Sequence, residues 1–144
     1  MKLIQNKQMW RGNFTYCDGY EEIDRYTNVD FEMELFFTND SFVGTSTDSE
    51  SKDLFDKPAT VKGFIDDEKI SFLLNYPCLY YKDDNRQLVL DRESKHPEIH
   101  YLGFWDGDKN NILDTWEMII HEGKFGDDYI EEFATGTFEM RRVS

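Results

Sequence analysis

The sequence predicts an all-β protein, an antiparallel up-and-down β-barrel of about eight strands with little helix. Three observations lead to this prediction. Apolar and polar residues alternate along most of the chain, short polar segments of hairpin length separate the alternating runs, and no run repeats at helical spacing. A meander of this kind normally closes into a barrel, because closure removes its exposed edges.

The clearest strand is the run from Val29 to Phe37. Every odd position of this run is apolar, and acidic residues occupy the first three even positions, which is the pattern of a strand with one buried face. The other clear strands are Lys69–Tyr76, Trp116–Ile120 and Ala134–Met140. Weaker alternation predicts strands at Met9–Tyr16, Ser41–Asp48, Ala59–Ile65 and Glu98–Trp105.

The remaining segments read as turns and loops. Short polar tips lie at Thr38–Asp40, Asp66–Glu68 and Asp106–Asp108. Ser49–Asp56 is compatible with one short helical turn that ends before Pro58, and Cys17–Asn28 has the length of a loop that covers a cavity. The segment Pro77–Pro97 is either a long loop or holds one more strand near Gln87–Asp91.

Length and charge limit the classes of function. We expect residues 1–144 to form one domain, since a chain of this length buries enough surface to fold without metal or disulfides. The 30 acidic residues exceed the 16 basic ones and give a net charge of −14. We therefore expect no binding to nucleic acid or to anionic membrane surfaces, which both depend on clustered Lys and Arg.

The chain shows no export signal and no apolar run long enough to span a membrane. We expect Cys17 and Cys78 to be reduced thiols in a cytoplasmic protein.

Catalytic and metal-binding motifs are weak, and we expect no catalytic residues, no metal and no cofactor. Asp106–Glu117 has acidic or amide side chains at calcium-loop spacing, but Asn111 replaces the usual Gly and both flanks read as strands. A polar β-turn explains the same residues. His100 and His121 could meet across the sheet beside Glu98 or Glu117, although exposed histidines on the outer face are the simpler interpretation.

Several segments resemble the calycin group of lipocalins, fatty-acid-binding proteins and avidin-like barrels. They are Trp10–Gly12 near the start, Phe31–Asp48, Val61–Ile65, Ile112–Met118 and Thr135–Arg142. The resemblance implies a calycin-like barrel in which Trp10 packs against Arg141 or Arg142 and closes one end. It also suggests ligand binding by analogy.

Polar residues on the predicted inward faces form a candidate ligand site. The candidates are Ser46, Asp48, Tyr101, Trp105, Asp114 and Trp116. A binding pocket needs a few polar groups among aromatic walls, and the alternative is that these residues fill the barrel and are wetted at its rim. The loop Cys17–Asn28 and the segment Ser49–Pro58 would frame the open end. Acidic charge there would favour a small hydrophobic, neutral or cationic ligand over a fatty acid.

Two kinds of protein partner also fit the sequence. An acidic protein of this size is compatible with an inhibitor or immunity-type protein that covers a basic partner, because complementary charge speeds association. One contiguous acidic face would favour this alternative; its candidate residues are Asp66, Asp67, Asp83, Asp84, Asp127 and Asp128. A homodimer is compatible with Phe36, Leu102 and Phe104, which place apolar side chains on outer faces that are otherwise polar.

Overall fold

The computed structural model of the chain describes residues 6–16, 28–85, 87–105, 111–125 and 128–144. These residues form ten strands: β1 (Asn6–Tyr16), β2 (Asn28–Thr38), β3 (Ser41–Asp48), β4 (Ala59–Asp66), β5 (Lys69–Asn75), β6 (Leu79–Lys82), β7 (Leu88–Asp91), β8 (Ile99–Trp105), β9 (Asn111–Phe125) and β10 (Asp128–Arg142). None of the described residues forms a helix long and apolar enough to cross a membrane.

Eight of these strands close into an antiparallel barrel in the order β1-β10-β9-β8-β5-β4-β3-β2. The sheet closes because β1 pairs with β2 along one edge and with β10 along the other. The predicted all-β fold, an antiparallel up-and-down barrel, is confirmed. Asn39 and Asp67 have φ angles of 56° and 60°, the left-handed conformation that tight hairpin turns require.

Between β5 and β8 the chain leaves the barrel and forms a separate two-stranded sheet from β6 and β7. The segment Pro77–Pro97 therefore contains two strands rather than one strand or none. Ser49–Asp56 forms hydrogen-bonded turns instead of a helix. Its backbone bonds join Lys52 N–H to the Asp48 carbonyl and Leu54 N–H to the Ser51 carbonyl, at 3.0 and 2.9 Å.

Inward side chains fill the body of the barrel. On β2, all five odd positions from Val29 to Phe37 are buried, as the alternation predicted. In the middle of the barrel the rings of Phe72, Tyr101 and Phe138 contact one another, with centroids 4.7, 4.9 and 6.0 Å apart. These rings belong to one continuous apolar core, so the protein's own side chains occupy this level of the interior.

Gly136 permits a long-range contact in the barrel wall. The buried Trp116 indole on β9 donates its Nε1–H to the Thr15 carbonyl on β1, at 3.0 Å. This contact crosses β10, and a Cβ at Gly136 would collide with both the Thr15 carbonyl and the Trp116 ring. Glycine at this position therefore lets the indole tie together two strands that are not neighbours.

Candidate functional site

One end of the barrel, which we call the loop end, collects buried polar side chains. Here β1, β3 and β5 end and β8 begins, at Tyr16, Asp48, Asn75 and Ile99. The 49–58 loop follows β3, and the 76–98 segment joins β5 to β8 through the β6–β7 hairpin. Apolar burial holds the barrel wall, whereas the loop end is held mainly by side-chain hydrogen bonds.

Asp48 is the centre of this end of the molecule. Its carboxylate is buried, and its Oδ1 accepts hydrogen bonds from the backbone N–H groups of Ser51 at 2.7 Å and Glu50 at 3.1 Å. The Ser51 hydroxyl donates at 2.9 Å, and the Tyr76 hydroxyl donates to Oδ2 at 2.7 Å. One carboxylate thus shapes the loop after β3 and joins it to the segment after β5.

Glu50 makes a second junction between distant segments. The Tyr16 hydroxyl, at the end of β1, donates to Glu50 Oε1. The Tyr80 hydroxyl, on β6, donates to the same oxygen at 3.3 Å. Below this junction the Tyr16 ring packs edge-on against Trp116, with centroids 6.0 Å apart. The polar groups of the loop end therefore sit directly above the aromatic core.

Four rings form an aromatic cluster, defined as Phe55, Tyr76, Tyr80 and His96. Tyr76 contacts Phe55, Tyr80 and His96 at centroid distances of 5.7, 5.0 and 4.9 Å. Tyr80 stacks on His96 at 5.2 Å. The cluster joins the 49–58 loop to the 76–98 segment and supplies ring faces beside the two carboxylates.

Burial changes the acid–base behaviour of this cluster. It raises the pKa of the Tyr76 phenol well above the ordinary value of 10.0, and Tyr80 and Asp48 raise it further. Burial, followed by Glu50 and Asp48, raises the pKa of the Tyr80 phenol in the same way. Burial lowers the pKa of His96 below 6.5, more than the Pro97 carbonyl and Asp48 raise it. At neutral pH both phenols remain protonated hydrogen-bond donors and His96 is neutral.

The structure brings some of the predicted site residues together and separates others. Ser46 and Asp48 are buried at the end of β3. Tyr101 and Trp116 are buried and face each other across β8 and β9. Trp105 and Asp114 pair with Ile112 and Gly103, further from the loop end, and their side chains lie outside the described part of the chain. Asp48 belongs to the loop-end network and Trp116 packs against Tyr16 of that end. Tyr101 instead packs at mid-barrel against Phe72 and Phe138.

At the opposite end of the barrel, the strand register brings together the residues that were predicted to close it. Trp10 is buried and pairs with Arg142 across β1 and β10, and Arg11 pairs with Arg141. The Trp10 Nε1–H donates to Gln8 Oε1 at 3.1 Å, and the Arg142 Nε–H donates to the Ser144 carbonyl at 3.0 Å. Stacking of Trp10 on Arg141 or Arg142 stays a prediction.

The sequence analysis did not identify most of the loop-end network. It placed Tyr76 at the end of the predicted strand Lys69–Tyr76, but it gave no role to Tyr16, Glu50, Tyr80 or His96. The one available signal was the pair of adjacent tyrosines, Tyr80 and Tyr81, in the Pro77–Pro97 segment.

Some sequence predictions fall outside the described residues. These are the loop over 17–27, including Cys17, the calcium-type residues 106–110, and Asp127. The side chains of His121 and Asp128 are also outside the described part. Cys78 is a buried free thiol. Among the described residues, no group of three or more His, Cys, Asp or Glu side chains is placed to hold a metal ion.

A cleft of about 880 Å³ crosses the outer face of β10, β1, β2 and β3 and is also bordered by Asp48. Some of its polar groups pair with one another. Arg11 Nε lies 3.0 Å from Glu32 Oε1, and the Asn13 amide donates to Glu139 Oε1 at 3.2 Å. Both members of the ion pair are more than half exposed, so solvent screens the attraction between them. This cleft is a weaker candidate site than the loop end.

The fold belongs to the class of closed antiparallel barrels that the calycin group also contains. Among solved structures, the chain is similar to rhizavidin with a TM-score of 0.47 and 12% sequence identity, covering 96% of this chain and 84% of rhizavidin. The likeness concerns the arrangement of the strands. No protein-family model matches the sequence, and no curated protein matches it.

Proposed function

We propose that this protein binds a small neutral or cationic molecule at the loop end of its barrel. The observation that carries the proposal is the convergence of two carboxylates, Asp48 and Glu50, with the hydroxyl groups of Tyr16, Tyr76 and Tyr80. Ligand sites characteristically combine a few converging polar groups with apolar and aromatic walls. The barrel fold is compatible with small-molecule binding.

The chemistry of the loop end favours particular ligands. Carboxylate and phenol oxygens accept hydrogen bonds, so they suit a ligand that carries N–H or O–H donors. The ring faces of Tyr76 and Tyr80 attract cations. A fatty-acid carboxylate would be repelled by Asp48 and Glu50, and we expect it to bind poorly.

The packing of the core supports binding at the end of the barrel rather than deep inside it. Phe72, Tyr101 and Phe138 are in ring contact at mid-barrel. A ligand would have to displace these rings to bind there. At the loop end it would need to move only the aromatic cluster, whose residues lie on the 49–58 loop and the 76–98 segment and are half-buried.

The alternative function, an acidic inhibitor of a basic protein, predicts one acidic face. Asp66 and Asp67 lie at the β4–β5 turn, while Asp83 and Asp84 follow β6 in the separate two-stranded sheet. These carboxylates thus occur at the turns of two different sheets. This placement favours acidic hairpin tips over one continuous face, and a basic partner remains the secondary proposal.

Native mass spectrometry of protein purified without denaturation tests the proposed function. We expect an excess mass on the order of a few hundred daltons, the size of a typical pocket ligand. Tyr80→Phe should reduce the bound fraction because it removes the hydroxyl that contacts Glu50. The matched control is Tyr81→Phe, since Tyr81 is the neighbouring tyrosine and is exposed.

A thermal-shift assay completes this test. Its probes are a panel of neutral and quaternary-ammonium compounds, with palmitate as the anionic probe. We expect the thermal midpoint to rise with a neutral or cationic compound and to stay unchanged with palmitate. Bare protein mass together with no shift from any compound would overturn the proposal. Stabilisation by palmitate alone would overturn the assigned ligand chemistry.

A further inference from the structure

The cleft on the outer face of β10, β1, β2 and β3 carries charges of both signs. Its volume of about 880 Å³ is within the range of small-molecule pockets. It is lined by four carboxylate side chains and by the cationic side chains of Arg11, Lys52 and Arg141. A purely anionic ligand would be repelled by these carboxylates and by the net charge of −14, and a purely cationic ligand by the arginines. The cleft therefore suits a ligand that carries both charges.

The strand register arranges six of the lining side chains in two rows. The row nearer the loop end contains Glu139, Asn13 and Asp30, and the other row contains Arg141, Arg11 and Glu32. Each row crosses β10, β1 and β2, and the rows are two residues apart along each strand. Arg141 and Asp30 therefore lie at opposite corners of this two-row patch, with Cα atoms about 12 Å apart for ordinary strand spacings.

The middle of the two-row patch is satisfied by internal contacts, whereas these two corners are not. Arg11 Nε and Glu32 Oε1 form an ion pair of 3.0 Å within one row. Among the described residues, no ion pair involves the side chain of Arg141 or of Asp30, and both residues are exposed. One positive and one negative side chain thus remain available to a ligand at opposite corners of the patch.

Arg141 is placed to bind a carboxylate. It lies directly opposite Arg11 across β10 and β1, and like charges in such positions repel each other. Glu32 is paired with Arg11 and leaves Arg141 uncompensated. A carboxylate on Arg141 would accept two parallel hydrogen bonds from the guanidinium group. It would also reduce the repulsion between the two arginines.

Asp30 and Asn13 supply hydrogen-bond acceptors for the rest of the ligand. Ser49 holds the Asp30 backbone, since its N–H donates to the Asp30 carbonyl at 2.8 Å and its hydroxyl accepts from the Asp30 N–H at 3.2 Å. The exposed Asp30 carboxylate can accept hydrogen bonds from an ammonium group. Asn13 donates through its amide nitrogen to Glu139, which leaves its amide oxygen to accept from a peptide N–H.

We propose that this cleft binds a short peptide, with its terminal carboxylate on Arg141 and its terminal ammonium group on Asp30. The length of the peptide follows from the distance between the corners. An extended chain of about three residues spans roughly 10 Å, and the long arginine side chain covers the remaining distance. The proposal is independent of ligand binding at the loop end, because the tyrosine hydroxyls of that end do not line the cleft.

Isothermal titration calorimetry with triglycine and its blocked forms tests the ligand chemistry. Triglycine carries both terminal charges and has no side chains. N-acetyltriglycine lacks the ammonium group and triglycine amide lacks the carboxylate, so each should bind at least roughly tenfold more weakly than triglycine. Free glycine is too short to reach both corners and should also bind more weakly. No binding of triglycine at about 10 mM, or a blocked form that binds as tightly as triglycine, would overturn the proposal.

Charge-removing variants test the location of the site. Arg141→Gln and Asp30→Asn should each weaken triglycine binding roughly tenfold or more, because each removes the partner of one peptide terminus. Arg92→Gln and Asp66→Asn remove exposed charges outside the cleft and should keep the wild-type affinity. All four substitutions are on exposed residues, so circular dichroism should show unchanged folding. Wild-type affinity for triglycine in Arg141→Gln or in Asp30→Asn would overturn the proposal.

Discussion

The barrel wall and the loop end are stabilised in different ways. In the wall, each strand is hydrogen-bonded to a neighbour on both sides, and alternate residues such as Phe31 and Phe72 enter a shared apolar core. At the loop end, Asp48 and Glu50 bind side chains that are 28 to 34 residues away in the sequence. The wall therefore depends on a repeated pattern, whereas the loop end depends on a few individual contacts.

This difference explains where single substitutions should have large effects. A wall made of many similar apolar contacts tolerates the loss of one of them better than a network centred on one carboxylate. The exception in the wall is a position where two elements approach too closely for any side chain. Gly136 is such a position.

The largest effect is expected for Gly136→Ala, which tests the tightest contact of the wall. The new methyl group would collide with the Thr15 carbonyl and the Trp116 ring. We expect a loss of about 3 kcal/mol in the free energy of unfolding, measured by urea denaturation. Thr135→Ala, at the half-buried neighbouring position, should cost much less. Equal losses for the two variants would contradict this account of the wall.

Asp48→Ala should have the next largest effect, because it removes the centre of the loop-end network. The backbone N–H groups of Glu50 and Ser51 and the hydroxyls of Ser51 and Tyr76 all lose their acceptor. We expect a loss of about 2 kcal/mol in the free energy of unfolding. Asp53→Ala in the same loop is the control, since Asp53 is exposed, and it should change stability by less than about 0.5 kcal/mol.

Tyr76→Phe should cost about 1 kcal/mol, the typical contribution of one hydrogen bond. It should also change the response to alkaline pH. The pKa of Tyr76 is raised in the folded protein above its ordinary value of 10.0, so its contribution to stability is complete below pH 10 and is lost as the pH rises above it. Unfolding curves recorded at increasing alkaline pH should fall less steeply for the variant than for the wild type. An equally steep decline for the variant and the wild type would contradict the raised pKa of Tyr76.

The smallest expected effect concerns His96. Burial lowers its pKa below 6.5 in the folded protein, so the unfolded chain takes up the proton first as the pH falls. The stability contributed by neutral His96 is complete above pH 6.5 and is lost below it. His96→Gln should therefore flatten the decline in stability between neutral and mildly acidic pH, measured by urea denaturation. Lys95→Gln, at the exposed neighbouring residue, should keep the wild-type slope.

The sequence predicted the wall well because alternation is a local property. Strand β3 was predicted with the boundaries that the structure has, and the inward positions of β2 were all correct. The outward positions of Leu102 and Phe104 also followed from this period, and both are exposed while Phe36 is half-buried. An alternating strand needs no knowledge of its partner to show which residues face inward.

The loop end was predicted only in part because its contacts are long-range. The inward positions of Ser46, Asp48, Tyr101 and Trp116 followed from strand alternation, and all four are buried. Their role in ligand binding stays a prediction. Tyr80 and His96 lie in a segment with only short strands, and Glu50, the hydrogen-bond partner of Tyr80, lies in the separate 49–58 loop. No periodic pattern connects a loop residue to a ring that is distant from it in the sequence.

Hydrogen exchange followed by mass spectrometry, on the wild type and Asp48→Ala, tests most directly whether the loop end is a unit organised by Asp48 and separate from the wall. We predict that Asp48→Ala increases exchange over residues 49–58 and 76–98, while β1, β2 and β10 keep their protection. Asp53→Ala should match the wild type throughout. An Asp48→Ala variant with equally increased exchange in the loops and in the barrel strands, or with no increase in the loops, would contradict the account.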